Sequence, residues 1–336
     1  MTLKSLPAER RESACSALKA AFGSAPLQAL RPITVGASAL IYRIEVSGRP
    51  YLLRLESLVR DEVRDPGRAY LCMRAAADAG IAPALHYADA TAGVAIMDFI
   101  PGRPLQDHPN GAEGLARDLG TLAARLQATA AFPPVADYPS VLQGMLDRLL
   151  ATDLYGGSLL DPHRDGFERI RGAYPWDEAS LVSSHNDPHP GNILFDGERL
   201  WLIDWETAYR NDPAVDVAVM TLYLANTPEL QEALIRSWLG CASDPVLRAR
   251  LVLMRQLVKL FYGFANGLYV AGSQPGLVET DMAAPTPAEF GVAMDQKRLI
   301  PNSPEAQRVG GKVALRSFMD GLAAPAFAEA LTVLRA

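Results

Sequence analysis

The stretch that decides the fold reads Ser184-His185-Asn186-Asp187-Pro188-His189-Pro190-Gly191-Asn192-Ile193-Leu194-Phe195 and resumes at Leu200-Trp201-Leu202-Ile203-Asp204-Trp205-Glu206. In outline it is H-x-D-x-x-x-x-N, an apolar strand, a turn at Asp196-Gly197, and a second apolar strand ending in Asp. Phosphoryl transfer calls for such groups in such an order. One carboxylate takes the proton of the attacking hydroxyl, and an amide oxygen and a second carboxylate hold Mg²⁺, which selects hard oxygen ligands. Asp187 then stands as the base, and Asn192 and Asp204 as the metal ligands. The five-residue interval from Asp187 to Asn192 matches the catalytic loop of kinases, and Asp204 takes the place of their D-F-G aspartate. Each residue alone also has an ordinary structural role. Asp187-Pro188 starts turns, Gly191-Asn192 is a turn pair, and Asp204 could cap the next element. The joint order, with a strand on each side, favours the chemical assignment.

Residues 185–218 resemble the signature of the aminoglycoside phosphotransferase / choline kinase superfamily, small-molecule kinases with a protein-kinase-like fold. The resemblance is carried by the His185-Asn186-Asp187 opening, Pro190-Gly191-Asn192, Ile203-Asp204-Trp205-Glu206, and Asn211-Asp212-Pro213-Ala214-Val215-Asp216. These are nearest the bacterial choline/ethanolamine kinase-like branch. Met97 to Leu105 resembles the hinge between lobes, and Gly80-Ile81-Ala82-Pro83 the turn after the regulatory helix. The resemblance implies ATP and Mg²⁺ as cofactors and a small-molecule hydroxyl as acceptor, with a choline-like amino alcohol or an aminoglycoside-like compound favoured. It implies that His185 structures the catalytic loop and that Asp216 anchors it from the following helix. Trp205 and Glu206, just past the metal ligand, are expected to meet a cationic acceptor by cation–π contact and charge.

The nucleotide side departs from the family pattern. Gly36-Ala37-Ser38-Ala39-Leu40 stands where the glycine-rich loop is expected, so the backbone amides from Gly36 and the Ser38 hydroxyl would face the phosphates. Arg54, in Tyr51-Leu52-Leu53-Arg54-Leu55, stands where lysine is expected. The chain has five lysines, at 4, 19, 259, 297 and 312, so none is available nearby. Arginine binds phosphate bidentately, although it is not interchangeable with lysine in reach. The helix glutamate that should pair with this cation is weakly marked. Glu62 is the choice, ahead of a helix containing only Asp78. Adenine is expected against the backbone near Asp98–Ile100, so Met97 and Phe99 border its pocket. Arg54 and the missing glutamate also leave open a nucleotide-binding pseudokinase as the alternative.

Outward from these motifs, residues 7–22 read as a helix. Tyr42, Ile44 and Val46 alternate with polar neighbours as a half-buried strand. Ser47-Gly48 supplies a hairpin turn, a helix runs from Gly67 to Ala79, and two strands follow near 85–88 and 93–100. Pro101-Gly102-Arg103-Pro104 breaks the pattern. Beyond it the chain reads as helices over 112–127, 141–151, 228–239, 245–268 and 304 to the end. The expected fold is therefore α+β and two-lobed: an N-terminal nucleotide-binding lobe over 1–100 with an antiparallel sheet plus a helix, and a larger, mainly helical catalytic and acceptor-binding lobe over 101–336. The net charge of −6 gives no basic surface for nucleic acid. Three widely spaced cysteines suit a reducing cytoplasm. The longest apolar stretch, 251–272, carries Arg255 and Lys259 and reads as a buried helix, so no membrane partner is expected. Oligomeric state is not legible.

Overall fold

The computed structural model describes residues 3–33, 39–56 and 65–335. Helix α1 (Ala8–Phe22) is followed by strands β1 (Leu27–Ile33), β2 (Ala39–Val46) and β3 (Arg49–Glu56), helix α2 (Pro66–Asp78), and strands β4 (Leu85–Asp89) and β5 (Val94–Asp98). The strands form one antiparallel sheet in the order β1-β2-β3-β5-β4. Ser47 and Gly48, both at positive φ (52° and 74°), make the two-residue turn whose twist suits a hairpin. Alternation along β3 divides its side chains between two faces. Leu53 and Leu55 join Ile44, Ile96 and α1's Ala14 and Ala17 in a closed core. Leu52, Arg54 and Glu56 take the other face. Leu52 lies opposite Met97 on β5 and Arg54 opposite Ala95, so Arg54 and Met97 share that face.

The remainder begins with helices α3 (Gly111–Gln127), α4 (Tyr138–Leu150) and α5 (Asp161–Ala173). Four three-residue strands follow: β6 (Val182–Ser184), β7 (Ile193–Phe195), β8 (Leu200–Leu202) and β9 (Tyr209–Asn211). β6 pairs with β9, and β7 with β8. Helices α6 (Ala214–Tyr223), α7 (Pro228–Leu239), α8 (Pro245–Ser273), α9 (Pro287–Asp295), α10 (Pro304–Ala323) and α11 (Pro325–Arg335) complete the chain. The architecture is α+β, an antiparallel sheet with helices followed by a larger helical part.

Two compact units are present. One comprises Met1–Pro134, Val182–Asp216 and Met220–Ala242, and the other Val135–Leu181, Val217–Val219 and Ser243–Ala336. In the first, α3 and α7 approach so closely that a Cβ on Gly120 would lie 2.1 Å from the Leu234 carbonyl oxygen. In the second, Gly263 of α8 leaves room for Leu315 of α10. Among the described residues no single helix is long and apolar enough to cross a membrane.

Several elements differ from the sequence reading. β1 was not expected, because Pro32 and a mixed burial pattern hide it. It is an edge strand, where proline is tolerated. α5 carries charges on most of its surface and buries only a narrow stripe around Phe167 and Ile170. The short α9 buries no residue fully and is set by a capping box at Thr286 and Glu289. The C-terminal helix is two helices, because Pro325 cannot continue α10.

Candidate active site

The loop between β6 and β7 is held from beneath by Asp216, near the start of α6. Its oxygens accept from Ser184 Oγ (2.9 Å), His185 N (3.0 Å) and Asn186 N (2.7 Å). Asn186 has a left-handed backbone (φ 66°), a conformation asparagine tolerates better than most residues. Its amide donates to the Thr207 carbonyl (2.8 Å) and its Oδ1 accepts from Asn211 Nδ2 (2.7 Å). Thr207 Oγ1 donates back to the His185 carbonyl (2.9 Å). The loop is thus fastened to the segment 207–216 by side chains that, apart from Thr207, are themselves buried.

His185 is fully buried, and its Nε2 meets the Ile203 carbonyl at 2.8 Å. Burial pushes its pKa down to about 4, so the ring is neutral near pH 7 and Nε2 carries the donated proton. It positions the strand end that leads to Asp204. Asp187 is gripped by Asn192, whose Nδ2 donates to the Asp187 carbonyl (2.9 Å) and to Oδ2 (3.3 Å). Ile203 N donates to the Asn192 carbonyl (3.0 Å), which brings Asp204 beside the same loop. His189 caps the short turn at Pro190–Asn192 by accepting from Gly191 N, and its Nε2 stands 3.8 Å from Asp187 Oδ2.

Asp204 also has a left-handed backbone (φ 67°, ψ 76°), a costly conformation for a residue with a Cβ and one that clusters at functional sites. Arg54 reaches it from β3: Nη2 lies 3.2 Å from Asp204 Oδ1 and also bonds Glu206. Arg54 Nε donates to Glu56 Oε1 at 2.6 Å. Burial disfavours the charged guanidinium, but the carboxylates of Asp204, Glu56 and Glu206 outweigh it and raise the pKa of Arg54 above its ordinary value.

The donor set fits a hard divalent ion. Asn192 spends its amide hydrogens on Asp187, so its Oδ1 accepts no hydrogen bond among the described residues. Among those residues no three His, Cys, Asp or Glu side chains form a ready metal cage. That accords with Mg²⁺, which takes one or two protein oxygens and completes its shell with phosphates and water.

Of the residues singled out by sequence, Asp187, His185, Asn192, Asp204 and Arg54 come together in one unit. Met97 is buried in the sheet on the Arg54 face, and Phe99 lies under the Arg43 guanidinium (5.3 Å) just beyond β5. Gly36, Ser38 and Glu62 lie outside the described residues. Trp205 is 4% exposed and packs on His185 (4.7 Å between rings) and Phe132 (6.0 Å). The Glu206 carboxylate pairs with Arg54, and its carbonyl accepts from Arg68 Nη2 of α2. Two residues escaped sequence reading. Glu56 shares the Arg54 face by strand alternation, a signal the sequence does carry. Tyr223 closes α6 near Asp187, and desolvation of its hydroxyl together with the Asp187 charge raises its pKa. That proximity joins residues far apart in the chain, and no local pattern announces it.

A five-stranded sheet bearing a buried arginine, and a loop joining a carboxylate, an amide and a second carboxylate, define a kinase-like phosphotransferase fold. Solved structures share it. A choline/ethanolamine kinase family protein from Mesorhizobium loti superposes with TM-score 0.67 at 21% identity, covering 97% of this chain and 99% of that one. A macrolide 2′-phosphotransferase from Brachybacterium faecium gives 0.56 at 20% identity, covering 78% and 94%. A spectinomycin phosphotransferase, solved with ADP and spectinomycin, gives 0.53 at 13% identity, covering 90% and 98%. No curated protein matches the chain. The pattern of the phosphotransferase enzyme family matches residues 29–250, and the chain belongs to that family.

Proposed function

We propose that the protein transfers the γ-phosphoryl group of ATP to a hydroxyl of a small molecule, with an amino alcohol of the choline type ahead of an aminoglycoside. The observation that carries this is the double grip of Asn192 on Asp187, at the backbone oxygen and at Oδ2, with Asp204 tied in through Ile203. Asp187 accepts the acceptor's hydroxyl proton on a carboxylate oxygen that Asn192 keeps in place. Asn192 Oδ1 and Asp204 would hold Mg²⁺, which, when bound, would neutralise phosphate charge. Arg54 orients the phosphates, and Met97 and Phe99 border the adenine. His185, neutral and buried, keeps the Asp204 strand against the loop. Catalysis of this kind rests on positioning and charge stabilisation.

The amino-alcohol preference is supported by the Mesorhizobium loti structure, named for choline and ethanolamine kinases. Nucleotide use is supported by the ADP in the spectinomycin phosphotransferase. The test is ADP release with Mg²⁺-ATP across a panel of amino alcohols, aminoglycosides and macrolides. Asp187→Asn is expected to lower turnover about 10²- to 10⁴-fold. Unchanged turnover in that variant overturns the assignment of the base. Nucleotide binding without turnover on the whole panel favours the pseudokinase.

A further inference from the structure

We propose that Glu56, on the same strand as Arg54, is the positioning residue that aims the arginine at the nucleotide phosphates, a role not filled from helix α2. The proposal rests on the kinase reading above. The guanidinium has one Nε–H, and it is committed to Glu56 Oε1 at 2.6 Å, while Nη2 also meets Glu56 Oε2 at 3.4 Å. This side-on fork fixes the rotation of the guanidinium plane. The two hydrogens of Nη2 are shared among Glu56, Asp204 and Glu206. Nη1 makes no hydrogen bond among the described residues, which leaves a pair of donors for a phosphate.

The backbone is arranged for this pair. Alternation puts residues 54 and 56 on one face of β3. Glu56 N donates to the Gly93 carbonyl (2.8 Å), which ties the strand end to the turn before β5. Gly93 has φ 60°, and a Cβ there would lie 3.3 Å from Glu56 Cβ, so glycine serves both the turn and the fit of Glu56. α2 offers no carboxylate between its Asp65 cap and Asp78 at its end. It presents Tyr70 instead, 5% exposed, with a hydroxyl that has no hydrogen-bond partner among the described residues. Burial raises the Tyr70 pKa, and Glu56 adds to that while Arg54 opposes it, which puts the ring beside the pair. α2 is tied instead to the segment after Asp204, through Arg68 to the Glu206 carbonyl and Cys72 to the Ala208 carbonyl. The aim of the cation is thus set by strand geometry.

A mere counter-charge would make a different prediction. Glu56→Asp keeps the charge but shortens the side chain by a methylene, and Glu56→Gln keeps the length but loses the charge. The readouts are Mg²⁺-ADP affinity by calorimetry, KM for ATP against KM for the acceptor, and the thermal midpoint. Glu56→Asp is expected to fold as the wild type does yet bind Mg²⁺-ADP about tenfold more weakly, with KM for ATP raised and KM for the acceptor unchanged. Glu56→Gln is expected to weaken nucleotide binding at least as much. Tyr70→Phe is expected to leave nucleotide affinity unchanged. Wild-type affinity in Glu56→Asp overturns the proposal, because charge alone then suffices. A tenfold loss in Tyr70→Phe overturns it as well, because the helix then aims the arginine. If no acceptor is turned over by the wild type but Glu56→Asp still weakens Mg²⁺-ADP binding, the kinase reading fails and this proposal stands.

Discussion

Replacing Asp216 with asparagine tests how the loop bearing Asp187 is held. Asp216 is wholly buried and accepts from Ser184 Oγ, His185 N and Asn186 N. Ser184 Oγ also lies 2.9 Å from Asn186 Oδ1. A hydroxyl has a single proton, so Ser184 satisfies both oxygens only when Asp216 is protonated and donates to it. Burial raises the Asp216 carboxyl from 3.8 to about 6, against three hydrogen bonds that favour the anion. That displacement corresponds to about 3 kcal/mol. Because the folded pKa is raised, the contribution to stability is complete below 3.8 and is lost as pH rises through about 6. The part lost between pH 5 and pH 8 is about 1 kcal/mol. Asparagine lacks this dependence. It offers an oxygen to Asn186 N and an N–H to Ser184, but its amide nitrogen meets His185 N donor to donor, at a cost of about 1–3 kcal/mol. Asp216→Asn is therefore expected to be less stable than wild type at pH 5, with the gap about 1 kcal/mol smaller at pH 8. Urea unfolding of both proteins at the two pH values measures it, and other titrating groups cancel in the comparison. A gap that is constant or widens toward pH 8 refutes the shared-proton argument and makes Asp216 an anion throughout.

Two further perturbations probe the scaffold of each unit. Gly120→Ala drives a methyl into the Leu234 carbonyl oxygen, so it is expected to destabilise by about 3 kcal/mol or more, read as a lower urea midpoint; a midpoint within error of wild type means the α3–α7 packing is looser than described. Glu279, 7% exposed, is held by Lys312 Nζ (3.0 Å) and Arg308 Nη1 (2.9 Å) of α10. Burial alone would raise its pKa, but these two cations lower it, so its contribution is present above the ordinary carboxylate range and lost as pH falls below it. Glu279→Gln is expected to cost about 3–5 kcal/mol at pH 7 and progressively less at acid pH, checked by unfolding at pH 7 and pH 4; an equal cost at both pH values contradicts the ion-pair account.

The parts of the fold legible in the sequence are those whose cause is local. β2 and β3 alternate, Ser47-Gly48 makes a two-residue turn, and α1 and α3 show apolar residues at helical spacing. β1 is illegible because its stability comes from pairing along β2, which overrides Pro32. α5 and α9 bury too little for their periodicity to stand out. The split at Ala324–Pro325 is carried by a single proline, and a helical pattern read across it conceals the break. Asp187 and Asn192 are legible as a pair because five residues of one loop hold them, and Asp204 because a single hairpin joins it to them.

The sequence alone determined which groups this chain can bring to a phosphate. It has an H-x-D-x-x-x-x-N loop, an aspartate at the end of a strand, and arginine where no lysine is near. Those are properties of residue type and short spacing. Tertiary structure decided the partners. Arg54 meets Asp204 and Glu206 across about 150 residues of chain, with Nη2 reaching both. Glu56 takes the Nε–H of Arg54, and Trp205 packs in the core. The physical reason is that a buried charge is stabilised by whichever opposite charges the packed backbone sets within a few ångströms, and that distance is fixed by sheet register and helix packing, which sequence separation does not encode.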